Sequence, residues 1–214
     1  MKHALSGHIA SPGPDSARES ILVAAQELFM LGGQSRVGMR DIAKKLGVSP
    51  MMPYRHFPSK DHIIMTLRLQ AFDDLTARLE AALISSANPE QALRAVCSAY
   101  FLFASENENS YRLMFDVWEF DKQAEINRDF GPQARREIHS WNANLNAVKA
   151  FVQAEGLQID AELGAHLVWS GLHGLVTLYL ARKLAFGVSF TQLQEPAIDH
   201  IVLGLREAAS TIIA

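Results

Sequence analysis

The chain predicts an all-α fold of about nine helices, with a small three-helix head at the N-terminus and a larger helical body after it. Three observations predict this. Almost no stretch alternates apolar and polar residues with the two-residue period of a half-buried strand. Apolar residues recur instead at three- and four-residue spacing over long segments. Those segments are separated by helix-ending signals at Gly32-Gly33, Gly47, Asn88-Pro89, Glu106-Asn107, Gly131-Pro132, Gly156 and Gly187.

The head reads as residues 15–62, behind a disordered arm at 1–14. The opening MKHALSGHIASPGPDS has no continuous apolar core of the signal-peptide kind, and its Gly, Ser and Pro content suits a mobile arm. Ser16-Ala17-Arg18-Glu19 has the form of a capping box, in which hydroxyl and carboxylate reciprocally satisfy backbone N–H groups. Ile21, Leu22, Ala25, Leu28 and Phe29 follow at helical spacing, and Gly32-Gly33 ends the helix. A second helix, at 39–46, carries Ile42, Ala43 and Leu46 on one face and stops at Gly47. Ser49 caps a third, Pro50 suits its first position, and Pro58-Ser59 closes it and opens a fourth.

The body, 63–214, predicts helices near 60–84 (shared with the head), 89–105, 108–120, 132–155, 160–184 and 191–213. The 160–184 helix is apolar nearly all round, the pattern of a helix buried on both sides. The last helix shows a stripe of Ile198, Ile201, Val202, Leu205, Ala208, Ala209 and Ile212. The longest apolar run, GLHGLVTLYLA, ends at Arg182 and Lys183, short of the ~20 residues that span a bilayer. The single cysteine, Cys97, sits in an apolar helical stretch and reads as a small core residue in a reducing compartment. No membrane association and a cytoplasmic location are expected.

Composition is that of an ordinary globular protein, with 49% hydrophobic and 20% charged residues. The net charge of −3 is unevenly spread: nine basic against five acidic residues in 1–70 give +4, and the remainder carries −7. A basic head on an acidic body points to a polyanion met by one end only. Catalytic chemistry finds no support. There is no Gly-x-Ser-x-Gly elbow, no P-loop and no His-Glu-x-x-His, and His139, His166, His173 and His200 lack a metal-ligand spacing. No enzyme activity, cofactor or metal is expected.

The head carries the informative motif. In residues 39–57, Ala43 is small enough for two helices to cross closely, Gly47 turns the chain, Val48 plugs the core and Ser49 restarts it. This is a helix-turn-helix, whose second helix lies in the major groove with its N-terminal residues at the base edges. Ser49, Pro50, Met51 and Met52 then sit at the end facing DNA, where thioethers pack on thymine methyl groups.

Residues 16–72 resemble the DNA-binding domain of the tetracycline-repressor (TetR) family of bacterial transcription regulators. The matching pieces are ILVAAQELFMLGG, MRDIAKKLGVS and PYRHFPSKDHIIMTL, in that order. The resemblance implies that Tyr54 and His56 bind backbone phosphates, that Lys60 adds charge to the same strand, and that Arg40 reaches the groove or its edge. Arg55 is the candidate for a bidentate guanine contact. Phe57 reads as core. Where many members have a small residue, a threonine and an aliphatic residue, this chain has Met51, Met52 and Pro53. Pro53 lacks the amide that would bond the Ser49 carbonyl, which predicts an irregular or 3₁₀-like first turn.

The body resembles a subgroup whose regulatory domain carries a Trp-x-x-x-His-Gly element, here Trp169-Ser-Gly-Leu-His173-Gly174 after YRLMFD at 111–116. That implies a small-molecule pocket in the helical body. Phe103, Tyr111, Met114, Phe115, Trp118, Trp141, Trp169 and His173 are the candidate lining, an aromatic wall with a few polar tips. The resemblance also implies a homodimer built mainly from the last two helices, with Leu167, Leu175, Leu178, Ile198, Ile201, Val202, Leu205 and Ile212 as candidate interface residues. Two recognition segments must reach successive major grooves of a palindromic duplex, ~34–36 Å apart, and that requires a pair of chains. The expected function is a homodimeric repressor released from double-stranded operator DNA by a small-molecule effector. An activator of the same fold is one alternative; a helical carrier or enzyme without DNA binding is the other, and it leaves the basic head unexplained.

Overall fold

The computed structural model describes residues 14–33, 36–115, 123–131, 137–184 and 187–211. Nine α-helices run in order among the described residues: α1 (Pro14–Gly32), α2 (Met39–Leu46), α3 (Lys60–Ile84), α4 (Pro89–Glu106), α5 (Glu108–Phe115), α6 (Gln123–Phe130), α7 (Glu137–Glu155), α8 (Ala161–Leu180) and α9 (Phe190–Thr211). None of the described residues is in a strand. The chain forms two compact units, one ending at Leu67 and the other beginning at Arg68. The division therefore falls inside α3 rather than at the 62/63 boundary suggested by sequence, because the first two turns of α3 belong to the head.

In the head, α1 begins at Pro14, two residues before the predicted cap. Proline has no N–H to leave unsatisfied in a first turn, so Ser16 lies inside the helix, and its carbonyl accepts the Ser20 hydroxyl at 2.8 Å. The backbone N–H of Gly38 donates to the Asp41 carboxylate at 2.8 Å and fixes the start of α2. Gly47 ends it at φ +67°, where a Cβ would be strained, and the Val48 N–H closes onto the Ala43 carbonyl at 3.1 Å. Ile42 and Ala43 are buried as predicted, while Leu46 and Val48 are half-buried.

The predicted third helix is a succession of turns. Met52 N–H donates to Ser49 O at 3.0 Å, Arg55 N–H to Met52 O at 3.1 Å, and His56 N–H to Pro53 O at 3.1 Å. Only Pro53–Arg55 form a 3₁₀ turn. Pro53 cannot supply the bond back to Ser49, and Pro58 disfavours helical backbone at Phe57, so both ends of the segment oppose α-helix. The irregularity expected for one turn thus extends along the whole segment. Phe57, 1% exposed, pins it down beneath the Arg18 guanidinium, 4.4 Å from the ring centre. Ser59 then caps α3, its hydroxyl 2.9 Å from Nδ1 of the buried His62.

The second unit is built on α4, α7, α8 and α9. Asn88 caps α4 through the Gln91 N–H at 2.9 Å, and Asp160 caps α8 through the Leu163 N–H at 2.8 Å. Ser189 and Gln192 form a reciprocal capping box at the start of α9. Phe101, Phe103, Phe151, Val148, Ala165 and Val176 are fully buried between these helices. At Gly164 a Cβ would lie 3.1 Å from Val148 and 3.3 Å from Leu205, so α7 and α9 both close onto α8 at that point. Arg206 on α9 bonds Glu90 at 2.8 Å and Glu155 at 3.0 Å, tying α9 to α4 and α7 at the surface. Cys97 is fully buried, and burial pushes its thiol up to about 12. The sequence pattern does not separate α6, since eight residues with one buried apolar side chain, Ile126, give little periodicity.

Two expectations about α8 and α9 are corrected. α8 is not buried on both sides: Val168, Leu172 and Val176 face the core, whereas Leu163, Leu167 and Leu178 are about half exposed. By length and composition its 20 residues reach the threshold for a membrane span, yet a third of its apolar window is packed inside this chain. In α9, Ile198, Val202 and Leu205 are no more than 2% exposed. They fill this chain's own core and are not available to a second chain.

Candidate functional site

Two regions carry the candidate chemistry. In the head, residues 42–60 contain no carboxylate but hold Lys44, Lys45, Arg55 and Lys60. The turn segment points Pro53 and Phe57 inward, a spacing of four that leaves Ser49, Pro50, Met51, Tyr54 and Arg55 outward. Met51 is 64% exposed, and Tyr54 is 44% exposed. Met52, His56 and Lys60 are half-buried at the edge, and Arg40 is exposed on α2. Of the sequence-predicted contact residues, Ser49, Pro50, Met51, Tyr54 and Arg55 thus fall on the outer side of a turn pinned by Phe57. Lys45 is paired with Glu27 at 2.6 Å, and the exposed arginine, phenol and thioether of the turn suit a phosphate backbone and base edges.

The second region is a cavity of about 380 Å³ within the second unit. Its wall takes Arg68, Phe72, Leu75 and Leu79 from α3, Val96 and Tyr100 from α4, Met114 and Phe115 from α5, Ser140, Trp141 and Asn144 from α7, and Trp169 and Leu172 from α8. Four sequence-predicted residues, Met114, Phe115, Trp141 and Trp169, line it. Phe103 does not; it is fully buried in the core, with the Arg78 guanidinium 5.6 Å from its ring centre. Trp118, and likewise Ile212 of the proposed interface, lie outside the described residues. The α3 contribution was missed. Phe72, Leu75 and Leu79 repeat at helical spacing, but spacing alone does not distinguish a cavity wall from a filled core.

Tyr111 and His173 stand behind the main wall. They line a smaller cavity of about 160 Å³ with Arg112, Phe115, Thr177 and Leu180. The two hydroxyls of Tyr100 and Tyr111 are 2.8 Å apart, the Tyr111 hydroxyl is 2.6 Å from His173 Nδ1, and Trp169 N–H donates to Tyr100 at 3.3 Å. Burial pushes the Tyr100 hydroxyl up to about 12 and the Tyr111 hydroxyl well above the usual tyrosine range. Burial also lowers the His173 imidazole, which favours its neutral form. An indole N–H can only donate. One order therefore uses every donor: Trp169 to Tyr100, Tyr100 to Tyr111, and Tyr111 to Nδ1 of neutral His173.

This order has a pH consequence. The folded state holds His173 below its ordinary value, so the unfolded chain takes up the proton first as pH falls through ~6.5, and stability drops. The melting temperature is expected to fall by about 2 °C more between pH 7 and pH 5.5 in the wild type than in His173→Gln. Glu90, lowered by hydrogen bonds from Arg94 and Arg206, and Glu155, lowered by one from Arg206, lose their contribution only below the usual glutamate range, outside this window. Parallel melting curves for the two proteins would contradict the assignment.

Family models match both parts of the chain. Residues 21–65 match the model of "Bacterial regulatory proteins, tetR family", and residues 93–202 match "Tetracyclin repressor-like, C-terminal domain". The transcriptional activator FasR of Mycolicibacterium smegmatis is 34% identical over 148 residues, 67% of this chain and 68% of that protein. The nucleoid occlusion factor SlmA of Pectobacterium carotovorum is 35% identical over 79% of this chain and 85% of its own length. The regulator FadR of Bacillus subtilis, solved in complex with stearoyl-CoA, superposes with a TM-score of 0.70 at 18% identity, covering 87% of this chain and 98% of that one. The last likeness shows the fold. Together with the helix-turn-helix head, these matches identify the chain as a member of the TetR family, a DNA-binding transcriptional regulator.

Proposed function

We propose that the protein is a homodimeric repressor that a small-molecule effector releases from a palindromic operator. The observation that carries this reading is the double role of α3. It starts in the head at Lys60 and, from Arg68 to Leu79, supplies four residues of the cavity wall. A ligand that wedges Phe72 or Leu75 acts on the same helix that the Ser59 cap anchors beside the DNA-facing turn. Such a ligand shifts the population between two arrangements of the heads to the extent that it binds one better. That FadR was solved with a bound acyl-CoA supports ligand control in this fold.

The second chain is assigned to the open face of α8. Leu163, Leu167 and Leu178 stand about half exposed along one row, and the exposed Gly171 and Gly174 between them let a partner helix approach closely. Leu175 and Ile201 are half-buried and sit at the margin of this face. A regulator of this kind works in the cytoplasm, where the chromosome is.

A second reading, activation, is favoured by the 34% identity to FasR. Deleting the gene separates the two: transcripts of the target rise if the protein represses and fall if it activates. Met51 tests the DNA-facing turn. Because Met51 is exposed, Met51→Ala is expected to leave stability within about 0.5 kcal/mol. It is expected to weaken binding to a duplex selected from a random pool by about tenfold, with little loss on unselected duplex, because an apolar contact to a thymine methyl carries sequence information. A large stability loss with unchanged preference would place Met51 in the core instead.

A further inference from the structure

Arg68 is the odd residue in the cavity wall. Among the described residues that line the cavity, none is an aspartate or glutamate, and Arg68 carries the only charge. It is half-buried, with its guanidinium 5.8 Å from the centre of the Phe72 ring, which lines the same cavity. From Phe72 an aromatic belt runs through Phe115, Trp169 and Trp141, with successive ring centres 5.9, 6.3 and 6.4 Å apart. Along α3 the lining residues beyond Phe72 are aliphatic, Leu75 and Leu79. At 1.5 Å per residue, Leu79 stands about 16 Å along the helix from Arg68. The cavity therefore has a cationic end and an apolar end. Other polar tips of the wall are engaged within the protein: Trp169 with Tyr100, Tyr100 with Tyr111, and the Asn144 amide N–H with the Ala165 carbonyl.

A charge is costly where it loses water without gaining a partner. A neutral apolar molecule that covers the guanidinium leaves it in that state. A carboxylate at the same point replaces the lost water with a planar, two-pronged acceptor, and the five donors of an arginine accommodate it beside any other contact. We propose that the effector is an apolar monocarboxylic acid, its carboxylate held by Arg68 and its hydrocarbon body lying on the aromatic belt and reaching toward Leu75 and Leu79. This rests on the reading of the cavity as the effector site and adds the chemical class of its occupant.

The test is a fluorescence titration of the full chain with 4-hexylbenzoate and its uncharged isostere 4-hexylbenzamide, with Trp141 and Trp169 in the wall reporting occupancy. The benzoate is expected to bind at least about tenfold more tightly than the benzamide, as a charge-assisted pair requires. Arg68→Gln is expected to reduce that ratio to about twofold or less through loss of benzoate affinity, with benzamide affinity within about threefold of wild type. Arg68→Lys keeps the charge but not the fork, and its ratio is expected to fall between the two. Equal affinity of the wild type for both probes overturns the inference and leaves the cavity reading intact. So does a benzoate preference that survives in Arg68→Gln, which would assign the carboxylate to another group. If neither probe binds, the cavity reading itself fails, and the inference falls with it. Arg68→Lys keeps the test decisive if the glutamine variant does not fold.

Discussion

One face of α8 packs into this chain, and the other does not. Gly164 lets α7 and α9 close onto the helix to within van der Waals limits, so Val168, Leu172 and Val176 are sealed in the core. Around the side of the same helix, Trp169 and Leu172 wall the cavity, and His173 terminates the tyrosine chain behind it. What remains is a row of half-exposed leucines separated by glycines. Such a surface is stable in water only at a cost that a second apolar surface removes. Core, cavity and open face are therefore three sides of a single helix, and a change on one is felt on the others.

The head depends on a different constraint, the two prolines that bracket its 49–57 turn segment. Pro53 and Pro58 deny the segment a regular helix, and Phe57 under Arg18 holds the resulting turns in place. The segment is then held by its buried Pro53 and Phe57 and by short-range turn hydrogen bonds. It leaves a short, outward series of Ser49, Pro50, Met51, Tyr54 and Arg55 on a stretch free of carboxylates. The basic charge of the head gives affinity for any duplex. The departure from the family at Met51 and Met52 is where this chain's own sequence preference is to be sought.

Most helices were legible because caps and glycine stops are local signals: Asn88-Pro89, Asp160 and Gly47 each act within a few residues of their position. The motif at 39–57 was legible for the same reason. What the sequence did not reveal is tertiary. The Ile198, Val202 and Leu205 stripe is amphipathic whether it meets its own core or a partner, and only the packing against α8 shows it is the former. Phe103 and Phe72 are alike in sequence, yet Phe103 fills the core and Phe72 borders a space. Asn144 carries no motif at all; that it is buried against the Ala165 carbonyl appears only in the packing.

The pairing of two chains through the open face of α8 is the central claim, since neither operator spacing nor effector control works without it. Sedimentation velocity of the wild type and of Leu167→Glu, each alone and with a selected duplex, tests it most directly. The account predicts that the wild type sediments as two chains and binds the duplex as a pair. Leu167→Glu, altered only at a half-exposed side chain, is predicted to keep its helical circular dichroism but sediment as single chains with weak duplex binding. A Leu167→Glu protein that remains paired and binds the duplex at wild-type affinity would contradict it.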